Sequence, residues 1–282
     1  MKRSTSFILA VLVSTGIIAQ ERKEVIKKNI DPAPTGAKTL WIDNINGSIV
    51  VKAWNERTVN LEVTKHVHAE NEEKLETAWN RLNLAVETGD TIEVYIDGFC
   101  SCDCGKRKGH YSFQCDDEHG DDFSFDFIVR VPQNYNLRLA TVNDGEVSVT
   151  GINGYMKINN VNGGITLEEV SGNSELHTIN GDVRAEYTRS PETASSYYTL
   201  NGEITVYFPK DLSADLSFKS FNGEFYTDFN YSEVLPSRLV TSSDHESGTR
   251  YAIQDKTVIR IGEGSFPLEF ETYNGDIYIR KK

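Results

Sequence analysis

The chain has no cysteine before Cys100, and its four cysteines all fall between there and Cys115. No thiol therefore stands near the N-terminus to carry a lipid. Past the first twenty residues there is no apolar run approaching the roughly 20 residues that a membrane-spanning helix needs, so no membrane span is expected. Positive charge is scarce as well: 29 Lys+Arg face 42 Asp+Glu, a formal net charge of −13 over 282 residues. So acidic a chain repels phosphate backbones and anionic lipid, which argues against nucleic acid and favours cations or basic partners. The short motifs of common enzymes are also missing: there is no GxSxG, no HExxH and no phosphate-cradling glycine loop. His110, His119, His177 and His245 are scattered with no nucleophile at a suggestive spacing. Lys157, Glu168 and Arg184 are the kind of residue that could line a polysaccharide-cleaving groove, but nothing singles them out. The expectation is a protein that is not an enzyme and has no cofactor.

What is present begins with a leader. MKRSTSFILAVLVSTGIIAQ sets Lys2 and Arg3 before an apolar run from Phe7 to Val13 and a small residue at Ala19. This is the layout of a secretory signal peptide over 1–19, cut between Ala19 and Gln20. Export is expected, to the periplasm or to the extracellular or cell surface, with 20–37 as a flexible linker ahead of the folded chain.

The body of the sequence repeats itself. TINGDVRAEY, TLNGEITVYF, SFNGEFYTDF and TYNGDIYIRK are variants of one phrase. Aligned on their Asn they share an apolar residue four before, a Ser, Thr or Asn two before, an apolar residue one before, Gly next, and apolar residues three and five after. The corner pairs are Asn46 and Gly47, Asn162 and Gly163, Asn180 and Gly181, Asn201 and Gly202, Asn222 and Gly223, and Asn274 and Gly275; Asn143-Asp144-Gly145 carries one extra residue. Alternation on either side of each turn is the strand period, with one face buried. Asn and Gly tolerate the left-handed backbone of a tight turn. From Asn143 the steps are 19, 18, 21 and 21 residues, then 52 to Asn274. A period near 20 marks a solenoid, each coil stacked on its predecessor. An antiparallel meander with Asn-Gly hairpins, or a sandwich, would also repeat every two strands. The stacking of like positions favours an all-β parallel solenoid over 132–282, Asn amide over Asn amide about 4.8 Å apart.

The series TVNDGEVSV, NVNGGITL, TINGDV, TLNGEI, SFNGEFYTDF and TYNGDIYIRKK, opened by FIVRVPQNYNLRLATVN, resembles the bacterial putative-adhesin domain of unknown function, a relative of the head GIN domain. The likeness runs from about Lys38 to Lys281. It implies a β-solenoid of the cell envelope, with an envelope protein or a glycan as partner and no catalytic residues to carry over.

Some segments break the pattern. In the N-terminal β region, 38–131, ENEEKLETAWNRL sets Leu75, Ala78, Trp79 and Leu82 at helical spacing, so an amphipathic helix near 70–82 is expected to cover the core or cap an end. Arg280, Lys281 and Lys282 charge the final strand, which protects a sheet edge. The insertion 98–122 holds Cys100, Cys102, Cys104, His110 and Cys115. In an exported protein an even cysteine count favours disulfides. The alternating thiols face one way along an extended segment, however, and with His110 they also form a soft set suited to zinc or copper. His66 and His68 share one side of a strand, as an incomplete metal pair or a solvated edge. Two after the corner Asn stand Asp182, Glu203, Glu224 and Asp276, a column of carboxylates that either faces solvent or gathers calcium. Tyr187, Tyr197, Tyr198, Tyr226, Tyr273 and Tyr278 either line an exposed binding face or fill the core. Tyr226 and Tyr278, with the four acids, are the candidate binding surface.

Overall fold

The structure is a computed structural model, and it describes residues 20–31, 38–98, 122–235, 239–244, 248–253 and 256–282, with the backbone alone for 239–244 and 248–253. The N-terminal strands are β1 (Gln20–Ile30), β2 (Thr39–Asp43), β3 (Ile49–Trp54) and β4 (Val59–Ala69), followed by helix α1 (Glu72–Arg81). Next come β5 (Asn83–Thr88), β6 (Thr91–Asp97), β7 (Asp122–Pro132), β8 (Asn136–Thr141), β9 (Val147–Thr150), β10 (Met156–Asn160), β11 (Ile165–Val170) and β12 (Ser174–His177). β13 (Val183–Tyr187), β14 (Ser195–Asn201), β15 (Ile204–Phe208), β16 (Ala214–Asn222), β17 (Phe225–Thr227) and β18 (Glu233–Leu235) continue the chain. β19 (Leu239–Asp244), β20 (Gly248–Ile253), β21 (Thr257–Ile261), β22 (Pro267–Asn274) and β23 (Ile277–Lys281) complete it.

Each repeat is one coil: a strand, an Asn-Gly corner, and a second strand that enters a different sheet. The first strands join a sheet ordered β18-β21-β16-β22-β14-β12-β10-β8-β2-β6-β5; the second strands join β1-β4-β7-β3-β9-β11-β13-β15-β23-β17. Neighbouring coils are parallel and in register, Ile165 beside Val183 beside Ile204 beside Ile277. Parallel pairing excludes the antiparallel meander. Alternate side chains point inward, and Ile158, Leu176, Tyr197 and Phe270 from one sheet meet Leu167, Ala185, Val206 and Ile279 from the other in one buried core.

The corners explain the dipeptide differently from a tight turn. Of the corner glycines only Gly47 and Gly275 have positive φ. A Cβ on Gly163, Gly181 or Gly202 would instead collide with the glycine carbonyl of the preceding coil. Glycine is there because backbones approach across the stack. The Asn amides form a continuous row: Asn143 donates to Asn46 (3.1 Å), Asn162 to Asn143 (2.9 Å), Asn180 to Asn162 (2.9 Å) and Asn201 to Asn180 (2.9 Å). Two residues earlier, Thr178 and Thr199 donate their hydroxyls to Gly163 and Gly181 carbonyls, both at 2.8 Å. The extra residue of the Asn143 corner is taken up at Asp144, whose φ is 54°.

The stack departs from the expected order at its end. The coil β22–β23 lies between β14–β15 and β16–β17, so the last coil in sequence is not the last in space. β23 is therefore an interior strand, and Arg280 and Lys281 do not guard an edge. Arg280 pairs with Asp228 at 2.9 Å, and Lys282 with Glu186 at 2.6 Å.

At the other end, Gln20–Ile30 is not a flexible linker but β1, paired antiparallel with β4 along its whole length. Its charges suit an edge strand, with one face in solvent and Ile26 and Ile30 of the other turned to the core. The helix α1 packs on β1 and β4 through Leu75, Ala78 and Trp79. The Asn71 side chain caps it by accepting from the Lys74 N–H at 2.9 Å. Lys65, only 4% exposed, closes the far end: its Nζ donates to the Trp79 and Leu82 carbonyls, both at 2.6 Å, and lies 4.1 Å from the Trp79 ring centroid.

Candidate binding surface

The residue four after each corner Asn points away from the core, and stacking sets these residues in a column. Toward the C-terminal end the column runs Thr166, Arg184, Thr205, Tyr278, Tyr226. The rings of Tyr226 and Tyr278 lie parallel with centroids 4.9 Å apart, close to the strand spacing itself. The carboxylates two residues earlier hold their hydroxyls: Tyr226 donates to Glu224 at 2.6 Å and Tyr278 to Asp276 at 3.1 Å. The bond to Glu224 and the charge of that carboxylate push the Tyr226 phenol up to about 12. Tyr278 is raised too, first by its bond to Asp276, and the nearby charge of Glu203 adds to the effect.

The other members of the expected surface lie alongside. Asp182 Oδ1 accepts the Glu203 N–H at 2.8 Å, and Asp276 Oδ1 accepts the Glu224 N–H at 2.8 Å. Glu203 itself accepts from the Thr205 hydroxyl at 2.7 Å. The carboxylate column is thus held by backbone amides and hydroxyls. Among the described residues no three His, Cys, Asp or Glu side chains converge on a point that could hold a metal. Cys100, Cys102, Cys104, Cys115 and His110 lie outside the described residues, as do the leader 1–19, His119 and His245. β6 ends at Asp97 in one sheet and β7 begins at Asp122 in the other. His66 and His68 face Glu21 and Asp122 respectively, at 3.4 and 3.5 Å.

Two tyrosines belong elsewhere. Tyr187 and Tyr197 are buried in the core, not on a binding face. Their hydroxyls are satisfied there, Tyr197 donating to Tyr187 at 2.7 Å and Tyr187 to Ser174 at 2.8 Å. Lys157, Glu168 and Arg184 do not share one groove: Lys157 pairs with Glu175 at 2.8 Å on one sheet, while Glu168 and Arg184 belong to strands of the other.

A second aromatic pair joins Tyr273, one of the tyrosines expected on a binding face or in the core, to Phe221, to which the sequence assigned no role. The residue just before each corner Asn faces outward, and where earlier coils carry Val161, Ile179 and Leu200, the last two in space carry Tyr273 and Phe221. Their rings stack at 4.7 Å and are 45% and 69% exposed. The signal is the switch from aliphatic to aromatic at the position just before the corner. Together the two pairs place four aromatic rings on either side of the corner at one end of the solenoid.

No curated protein matches the chain. Among solved structures, it is similar to a "putative cell adhesion protein" from Clostridium sporogenes, at 14% identity and a TM-score of 0.41, over 93% of this chain and 100% of that one. It is also similar to a "putative adhesin" from Bacteroides fragilis, at 9% identity and a TM-score of 0.29, over 91% and 97%. A "putative lipid binding protein" from Parabacteroides distasonis aligns at 12% identity and a TM-score of 0.28, over 92% and 96%. The Toastrack DUF4097 family model matches residues 134–280, the stretch that holds six of the strand-corner-strand coils, and with just over half its length matched the chain belongs to the Toastrack DUF4097 family.

Proposed function

We propose that this protein is exported, to the periplasm or the cell surface, and acts there without catalysis as an adhesin-like binding module for a carbohydrate or protein ligand. The reading of export rests on the basic-apolar-small pattern of residues 1–19. The binding reading rests on one observation above all: Tyr226 and Tyr278 are stacked, outward-facing and fixed by Glu224 and Asp276. A rigid aromatic platform rimmed by acids loses little side-chain freedom on contact, which suits sugar rings or a partner's side chains. The solenoid supplies an extended, preformed surface for it.

The test is a pull-down from envelope extract with the immobilised protein, run beside a polysaccharide array. A reproducible ligand whose capture falls at least tenfold in Tyr226→Ala and Tyr278→Ala, with circular dichroism unchanged, supports the reading. A blank on both, from folded protein, would shift the role to envelope structure.

A further inference from the structure

Three of the four ends of the two long sheets finish in strands that leave the repeat and run antiparallel: β4 and β1 at one, β5 at another, β21 and β18 at a third. The fourth ends on β17, a repeat strand with a parallel neighbour on one side only. Each earlier coil passes a backbone N–H to its spatial successor: Val183 to the Glu203 carbonyl (2.9 Å), Ile204 to Asp276 (3.0 Å), Ile277 to Glu224 (2.9 Å). Phe225 holds that position in β17, where the sheet stops.

The side-chain rows stop at the same place. Asn274 accepts from Asn222 at 2.8 Å, and the Gly275 carbonyl accepts from Ser220 at 3.1 Å. Among the described residues nothing donates to the Asn222 Oδ1 or to the Gly223 carbonyl, which stand next in those rows. Exposed apolar surface gathers here too. Of the seven large hydrophobic residues exposed among those described, Phe221, Tyr226, Tyr231, Val234 and Tyr273 belong to this end of the molecule.

We propose that the edge of β17 takes up an extended segment of a partner protein as one further parallel strand, with an aromatic residue over Tyr226 and a Lys or Arg beside Glu224. This rests on the binding reading and names the ligand class for the same site. A strand satisfies alternating N–H and C=O groups at the strand repeat, and a sugar does not. The exposed face of Tyr226 continues a ring stack already spaced like the strands. The charge of the added residue follows from its neighbours: Asp182, Glu203, Asp276 and Glu224 are successive carboxylates in the stack, a fifth would be repelled, and a cation is attracted.

The test uses the intact folded protein and the labelled, end-blocked peptide SFNGKFYT, which copies residues 220–227 with lysine at the Glu224 position. The peptide should bind saturably, slow amide exchange at 225–227, and lose at least tenfold in affinity in the form SFNGEFYT. N-methylation at its Tyr, which removes the N–H that would donate to the Phe225 carbonyl, should cost as much. Because these changes are in the peptide, protein unfolding cannot imitate the result. No saturable binding, equal binding of the N-methylated peptide, or slowed exchange away from 225–227 overturns the proposal. If the peptide fails while the array yields a glycan lost in Tyr226→Ala, strand addition falls and the binding module stands; a blank in both removes both.

Discussion

Asn274 donates its side-chain amide to Asn201 at 2.7 Å, although 73 residues separate them. Asn222, the corner that follows Asn201 in sequence, is one coil further out and donates to Asn274 instead. The C-terminal coil has been slotted into the stack.

Chain ends ordinarily fray and exchange their amides fastest. Here β22 and β23 have neighbours on both sides and β17 on one. Hydrogen exchange followed by mass spectrometry should find residues 268–281 more protected than 223–228. Faster exchange at the C-terminus would contradict the inserted coil.

Gly163 and Gly164 are adjacent and should respond to alanine to very different extents. A Cβ at Gly163 strikes the Gly145 carbonyl, whereas at Gly164 its nearest neighbour is the Asp182 carbonyl at 3.3 Å. Gly163→Ala should cost about 2–3 kcal/mol, the scale of an overpacked core. Gly164→Ala should change stability by less than about 1 kcal/mol. Urea denaturation of the two variants checks both.

Asn180→Ala removes the amide that bonds to Asn162 on one side and Asn201 on the other. Two exposed hydrogen bonds at ordinary net strength amount to about 1–2 kcal/mol. The same substitution at Asn159, exposed but outside the row, should be near neutral in thermal unfolding.

Burial pushes the Tyr187 phenol up to about 12 and raises Tyr197 as well. The folded state keeps protons there that an unfolded tyrosine releases near 10. The contribution is fully present below pH 10 and is lost as pH climbs toward 12. Phenolate absorbance should thus show a late step that coincides with loss of the strand signal, and Tyr197→Phe should lessen the alkaline loss of stability. A Tyr226→Phe, Tyr278→Phe background removes the exposed late-titrating phenols, and in it alkaline stability that Tyr197→Phe leaves unchanged would refute the assignment.

Much of this was legible because the repeat writes the same physics many times. Thr178, Asn180 and Gly181 recur as Thr199, Asn201 and Gly202; Asn201 bonds to its own image, Gly202 packs on its own, and Thr199 bonds to the Gly181 carbonyl of the coil before. Register, parallel direction and the Tyr226–Tyr278 pairing follow once like sits over like. Spatial order did not follow, because Ser220-Phe221-Asn222-Gly223 and Thr272-Tyr273-Asn274-Gly275 fit equally well beside Asn201, and only the path of the long connection between them decides. β1 was missed for another reason. QERKEVIKKNI carries so much charge that it resembles a solvated tail, and its strand form depends on pairing with β4, a partner far along the chain. Tyr187 and Tyr197 were ambiguous because a tyrosine serves in a core as soon as its hydroxyl finds a partner.

The row of asparagines has a sense, like an arrow. Every Nδ2 points toward the β7 end, where Asn46 donates to the Phe123 carbonyl at 3.0 Å, and every Oδ1 points toward β17. The two ends of the molecule are therefore chemically opposite, one finished by a carbonyl and the other open as an acceptor. A coil brought up upside down would meet acceptor with acceptor. Growth of the stack, by whatever strand, can proceed from one end and in one orientation only.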